Sequence, residues 1–463
     1  MAVDLNKIKT IYFLGIKGVA MAGLAIICKQ RGIIVFGSDV PEKFITDKIL
    51  ANFNIEVFDN FSADNLDCNP ELVVIGTSWG EDNIEVQEVK KRKINFISDS
   101  QMRGILSQEK RTIAVTGVHG KTTTTALLAY LFSQANLQPS YLIGTGLVPD
   151  LKSNANWGNG KHFIVEGDEY VRSKSDPVPK FLDLDSSVSL ITSIEWEHVD
   201  VFKDLEALED VFSQLVKKTK DLIVACGDWP SVNKIIANEP NKAVTYGFNT
   251  NNQWQAYDIR QEFEQTIFKV KNKNKELGEF KIALFGEHNV LNSLAVIIIG
   301  LHEGIDLEQI RTILRNFSGA ERRFDVSVRD GITFIDDYAH HPTAIQTTLK
   351  AVRHRYPNQK IWCVFQPHMA SRTQALLDDF VKSFAEVDCV IFADIFASAR
   401  EQALAITSKD LAKAAKKYHP NVVYVGDLNQ TIEYLKDKIK PEMVLVTMGA
   451  GDVYRVRDKF LNS

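Results

Sequence analysis

The stretch Thr116–Thr124, TGVHGKTTT, restricts the possible folds more than any other part of the chain. It lies between an apolar, β-branched run, Arg111–Val115, and a helical stretch that opens at Lys121. Glycines in such a turn let backbone N–H groups close around a phosphate, and the helix N-terminus adds its positive dipole end. Lys121 can reach β- and γ-phosphate oxygens, and the Thr122 hydroxyl can ligate Mg²⁺. Val115 stands where the general GxxxxGK[ST] pattern has its first glycine, so the match is to a variant of that pattern. The nucleotide candidates here are Gly117, His119, Gly120, Lys121, Thr122 and Thr123. A glycine-rich turn that merely caps a helix is the plainer alternative, and the strand–loop–helix context weighs against it.

The same order of β-branched run, turn and helical stretch occurs three times, which signals parallel α/β sheets. The first unit opens at Thr10–Leu14, turns through Gly15–Gly18 and enters a helix near Val19. Its next strands end at Gly37-Ser38-Asp39 and at Gly76-Thr77-Ser78. The second unit holds the phosphate loop, with further strands at Phe163–Val165, Ser189–Thr192 and Asp221–Ala225. Trp254–Leu284 alternates polar and apolar residues, as antiparallel strands do. The third unit opens at Ile332–Ile335, with strands at Lys360–Phe365, Cys389–Phe392 and Val444–Met448. Asn316–Arg323 is polar, contains a glycine and follows a helix, so it reads as a hinge. The expected domains are 1–107, 108–320 and 321–463, in keeping with 463 residues at roughly 100–200 per domain.

Composition excludes some classes. Hydrophobic residues make up 45% and charged residues 24%, as in ordinary globular chains. A formal net charge of −5 argues against non-specific nucleic-acid binding. Five scattered cysteines with no CxxC pair read as buried, reduced thiols. The N-terminus has no basic region followed by a long apolar one. The longest apolar runs, such as Ala295–Leu301, fall short of the roughly 18 residues of a membrane span. The expectation is a soluble, cytoplasmic protein with small-molecule partners, no nucleic-acid or membrane partner, and a monomeric or homodimeric state.

The phosphate loop resembles the shortened loop of the Mur ligases and folylpolyglutamate synthetases, and downstream matches follow in the Mur order. They are Glu166-Gly167-Asp168-Glu169, Trp196-Glu197-His198, Gly286-Glu287-His288-Asn289 with Asn292, Arg322-Arg323-Phe324, Asp336-Asp337-Tyr338 and His340-His341-Pro342. They cover nearly the whole chain. The resemblance implies three domains: a Rossmann-like UDP-binding one, a central P-loop ATPase with a parallel sheet and a small antiparallel one, and a Rossmann-like C-terminal one. It implies ATP and Mg²⁺ as cofactors. It also implies a ligase that phosphorylates a carboxylate with ATP and lets an amine displace phosphate.

Residue roles follow from the same resemblance. Lys121, Glu166, His198 and Arg323 would be catalytic. Thr122, Glu166 and His198 would hold Mg²⁺. Glu166 follows an apolar strand, so its carboxylate should emerge at a strand's C-terminal end, where open α/β sheets bind ligands. Asp168 and Glu169 read as supporting groups or solvated charges. His288 and Asn289 would meet adenine with Asn292 nearby, although asparagines at a helix start also serve as caps. Arg323 would serve phosphate charge, and Asp337 the ribose or hinge region.

The substrate ends are less regular. Gly15-Ile16-Lys17-Gly18 is an altered dinucleotide-type turn, and with Asp39 and Ser78 it is the expected UDP-sugar site. A redox Rossmann domain would read similarly, but a phosphate-loop domain directly after it argues for the UDP-sugar. Phe365-Gln366-Pro367-His368 and Ser371-Arg372-Thr373 resemble the Mur branch that adds L-alanine to UDP-N-acetylmuramate; His341, His368 and Arg372 are the expected substrate contacts. Met369 departs from that branch's usual arginine, while Ile395–Glu401 and Gly449–Asp452 fit it. Tyr170, Asp176 and Pro179-Lys180-Phe181 instead resemble murein peptide ligases, which attach a whole tripeptide. The alanine reading rests on the third domain and the tripeptide reading on the central one. The other rivals are a folylpolyglutamate synthetase, which lacks a UDP-type domain, a non-enzymatic nucleotide-binding regulator, and an NAD enzyme.

Overall fold

The computed structural model describes residues 3–172, 176–262, 264–396 and 406–462. Three sheets follow one another along the chain. The first has five parallel strands in the order Glu56–Phe58, Ile34–Ser38, Thr10–Leu14, Leu72–Ile75, Phe96–Ser98. Its strand order reverses between Thr10–Leu14 and Leu72–Ile75, so the turns Gly15–Gly18 and Gly76–Ser78 flank the switch point.

The second sheet has ten strands. Arg111–Thr116 runs parallel between Ser186–Ile191 and His162–Glu166. These strands read as continuous apolar runs because helices cover both faces. Lys121–Gln134 and Glu287–His302 pack on one face. Helices of the first unit and Leu205–Lys218 belong to the core on the other. That core runs without a break from the first unit into the second. A Cβ on Gly23 would lie 2.3 Å from Leu142 Cδ1, so the helix Val19–Gln30 approaches the sheet at a distance only glycine permits. The antiparallel strands foreseen at Trp254–Leu284 are present, and they continue the same sheet. Trp254–Gln261 joins it by pairing with Tyr246 and Gly247, and Thr266–Asn272 and Lys275–Ile282 complete the edge.

The third sheet has six strands, with Asp325–Arg329 antiparallel at one edge and Ile332–Asp337 next to Val444–Met448. Apolar clusters cover both of its faces. Asn316–Arg323, the foreseen hinge, links the helix Leu307–Leu314 to this sheet. No helix among the described residues is long and apolar enough to cross a membrane.

Candidate active site

The strand ends converge on a cavity of about 560 Å³ lined by residues of all three units. The phosphate loop forms its floor. Gly117 and Gly120 have φ of 118° and 80°, in the left-handed region. A Cβ on Gly117 would lie 2.2 Å from Thr192 Oγ1, and one on Gly120 would lie 2.6 Å from Asn292 Oδ1. Gly120 caps the helix Lys121–Gln134 with no side-chain hydrogen bond, so the first helical N–H groups stay available to an anion. The N–H of His119 donates to Ser193 Oγ at 2.9 Å and that of Val118 to Ser193 O at 3.1 Å, which fixes the loop against the neighbouring strand end.

The Lys121 ammonium donates to Gly117 O at 2.5 Å and to both oxygens of Glu169 at 2.9 and 3.1 Å. Burial opposes its charge, but Glu169, Glu197 and Glu166 outweigh burial and raise its pKa. Glu166 lies opposite Val115 in the adjacent strand. Its carboxylate accepts from the Thr122 hydroxyl at 3.1 Å and from the Gly144 N–H at 2.8 Å. A side chain on Gly144 would meet those oxygens at 2.6 Å. The Arg323 guanidinium reaches across from the third unit and donates to Thr122 Oγ1 at 2.9 Å. One hydroxyl and one carboxylate set side by side are the hard oxygen donors that suit Mg²⁺.

His198 lies one step away, with φ of 54° and its Nε2 3.0 Å from Glu169 Oε1. Donor atoms of Asp168, Glu169 and His198 lie within 4.8 Å of one another. His198 therefore groups with Glu169 and Asp168, whereas Thr122 groups with Glu166. Glu169 is 1% exposed, so it is a buried partner of Lys121 and not a solvated charge. Glu197 is also buried, and its Oε1 lies 3.2 Å from His340 Nε2 and 3.3 Å from Arg372 Nη2. Against burial, His198, His340 and Arg372 hold its carboxyl well below the usual range.

At the other end, Asn289 and Asn292 are buried and bonded to each other at 3.0 Å, beside His288. Burial, then nearby His119, lowers the pKa of His288 to about 4. Asp337 accepts from the N–H groups of Phe324 and Ala339, both at 2.8 Å. It therefore clamps the hinge backbone, while Arg323 lies over the Tyr338 ring at 4.6 Å.

In the third unit, His368 and Arg372 both line the cavity. The His368 ring stacks on Phe396 at 5.6 Å. Arg372 is 4% exposed, and its Nε and Nη1 are buried without a protein partner. Ala397–Glu401 lies outside the described residues.

Two of the expected substrate residues have other partners in this fold. The Lys17 ammonium is turned inward. Its side chain is 1% exposed, 2.7 Å from Asp59, and donates to the carbonyls of Val40 and Glu42. Its N–H donates to Asp39 Oδ2 at 2.7 Å. Gly15, Lys17, Gly18, Asp39 and Ser78 do not line the cavity, although Val19 and Ala20 do. His341, an expected substrate contact, lines the cavity with His368 and Arg372, and as N-cap of Pro342–Arg355 its ring lies 5.1 Å from that of His119. Sequence reasoning passed over Glu195 and gave Glu197 no role beyond its place in Trp196-Glu197-His198; both follow the strand Ser186–Ile191.

Comparison with known proteins identifies the family. The family model described as Mur ligase family, catalytic domain matches residues 10–111. The Mur ligase middle domain matches 115–300, and the Mur ligase, glutamate ligase domain matches 322–451. A UDP-N-acetylmuramate–L-alanine ligase of Caldanaerobacter subterraneus is 34% identical over 100% of this chain and 99% of its own. The crystal structure of a UDP-N-acetylmuramate–alanine ligase from Thermotoga maritima aligns with a TM-score of 0.83 at 26% identity, covering 98% of each chain. A murein peptide ligase from Psychrobacter arcticus has the same fold, with a TM-score of 0.74 at 22% identity and 98% coverage of each chain.

Proposed function

The chain belongs to the Mur ligase family and is an ATP-dependent, amide-bond-forming ligase; from that premise we propose that it joins L-alanine to UDP-N-acetylmuramate in peptidoglycan biosynthesis, in the cytoplasm. The observation that carries this reading is the single cavity that Lys121, Glu166 and Arg323 share with His368 and Arg372. A phosphate-handling set and an acceptor set then face one substrate carboxylate. The domain limits 1–107, 108–320 and 321–463 are part of the proposal, supported by one sheet in each.

A carboxylate is a poor electrophile, so ATP first converts that of muramate to an acyl phosphate. Catalysis of that transfer is mostly positioning and charge neutralisation. Lys121 sits at the loop where the transferred phosphoryl group would lie, and Arg323 reaches Thr122 of that loop from the third domain. Asn289, Asn292 and His288 form the nucleotide end. Thr122 and Glu166 would hold Mg²⁺, which when bound neutralises the phosphate oxygens. The two unpartnered N–H groups of Arg372 suit the carboxylate of the amino acid, so its amine can face the acyl phosphate. Phosphate then leaves and the amide remains.

The segment that resembles tripeptide ligases makes contacts that bear on domain packing. Lys180 lies 3.2 Å from Asp168 and 3.8 Å from Asp99 of the first domain, and Arg172 pairs with Asp176 and Asp183. Tyr170 and Lys180 of this segment also line the cavity, so the alanine reading rests on the third-domain residues and on the full-length relatives. The test is phosphate release from ATP with Mg²⁺, omitting each substrate in turn. Release that needs both UDP-N-acetylmuramate and L-alanine is expected; release indifferent to the amino acid would refute the reading.

A further inference from the structure

Three side chains meet above the phosphate loop in an arrangement that ligation leaves unexplained. His119 belongs to the loop, Glu195 follows the strand Ser186–Ile191, and His341 caps the first helix of the third domain. His119 Nε2 lies 2.6 Å from Glu195 Oε2, and His341 Nδ1 lies 3.6 Å from the same oxygen. One donor atom from each falls within 4.8 Å of the others. The site is built. The Thr343 hydroxyl donates to Glu195 Oε1 at 2.7 Å, which turns Oε2 towards the two imidazoles. Thr192 Oγ1 donates to the carbonyl of His119 at 2.5 Å and holds that residue in place. His341 is 4% exposed, and its Nε2 is buried with no hydrogen-bond partner.

Two imidazoles and one carboxylate are donors for a borderline-soft ion, whereas Mg²⁺ prefers oxygen alone. Thr343 orients two of the donors: its hydroxyl fixes Glu195, and its N–H donates to His341 Nδ1 at 3.4 Å. We propose that His119, Glu195 and His341 form a binding site for one divalent cation of the zinc or cobalt class, separate from the Thr122–Glu166 pair. Two ligands come from the central domain and one from the third, so the bound ion ties the domains together.

The test uses the full-length protein with excess Mg²⁺ and no ATP, titrated with Co²⁺ and followed by visible d–d absorption. X-ray absorption of the bound Co²⁺ counts its imidazoles without any substitution. One tightly bound Co²⁺ with two imidazoles is expected. Binding should be lost in Glu195→Gln and His341→Ala and retained in His198→Ala, with folding of each checked by circular dichroism. Co²⁺ carrying one imidazole and lost in His198→Ala would move the ion to Asp168–Glu169–His198 and overturn the proposal. Absence of a saturable spectrum in the wild type would overturn it as well.

Discussion

Two glycine-rich turns in this chain each leave a parallel strand, enter a helix and carry a lysine, yet they put that lysine to opposite uses. In the phosphate loop, Lys121 faces the shared cavity. In the first domain, Lys17 points inward and fastens Val40, Glu42 and Asp59. Local pattern is nearly the same at both places, and Gly15 and Gly120 have similar φ, 85° and 80°. The partners differ. Glu166, Glu169 and Glu197 surround Lys121 from neighbouring strand ends, whereas Lys17 is met by a loop of its own domain. A strand–glycine–lysine–helix pattern therefore names a turn, and the groups brought to it by the rest of the fold decide what its lysine does.

The sharpest way to break the comparison is to remove the lysine that acts on phosphate. Lys121→Ala should lower kcat/KM by about 10³-fold in ATP-dependent phosphate release. It should also cost about 3 kcal/mol of stability, since buried Glu169 loses the ammonium and keeps only His198; near-normal turnover would take the loop out of the chemistry. Arg372→Ala should raise the KM for the amino acid by about 30-fold and leave that for ATP in place, as loss of a buried charge contact worth about 2 kcal/mol does. A change in ATP affinity alone would move Arg372 to the nucleotide end. Glu166→Gln should weaken the Mg²⁺ dependence of turnover by about tenfold, and an unmoved Mg²⁺ titration would contradict its ligand role.

Stability should distinguish the two ends by pH. His288 has a pKa of about 4 in the fold, below the 6.5 of an ordinary histidine. The unfolded chain thus takes up its proton first as pH falls, and stability is lost between pH 6.5 and 4. From pH 7 to pH 5 that amounts to about 2 kcal/mol, and His288→Gln should remove it. Thermal melts across that range check the slope, which Lys17→Met should leave unchanged. Lys17→Met itself should cost about 1–2 kcal/mol, its partner Asp59 being half exposed, with no change in the KM for ATP. A higher KM for UDP-N-acetylmuramate at unchanged stability would restore Lys17 to the substrate site.

The central domain was legible because its chemistry is local. Lys121, Thr122 and the glycines sit in one loop, and Glu166 is marked by the strand before it. The three-unit α/β order was legible for the same reason: each strand is an apolar run bounded by turns. Glu169 and Glu197 were not legible as site groups, because their roles depend on Lys121, His340 and Arg372 arriving from far along the chain. The inward turn of Lys17 was not legible, because nothing near it in sequence shows that Asp59 will cover it. The contact of His341 with Glu195 was not legible, because Glu195 lies 146 positions earlier, across the hinge.

The most direct test gives the enzyme equimolar L-alanine and L-Ala-γ-D-Glu-meso-diaminopimelate, with UDP-N-acetylmuramate, ATP and Mg²⁺, and identifies the product by mass. Nearly all product as UDP-N-acetylmuramoyl-L-alanine is expected, with one ADP formed per amide bond. Predominance of the tripeptide product would contradict the account and make the Tyr170–Phe181 segment the true reporter of the acceptor.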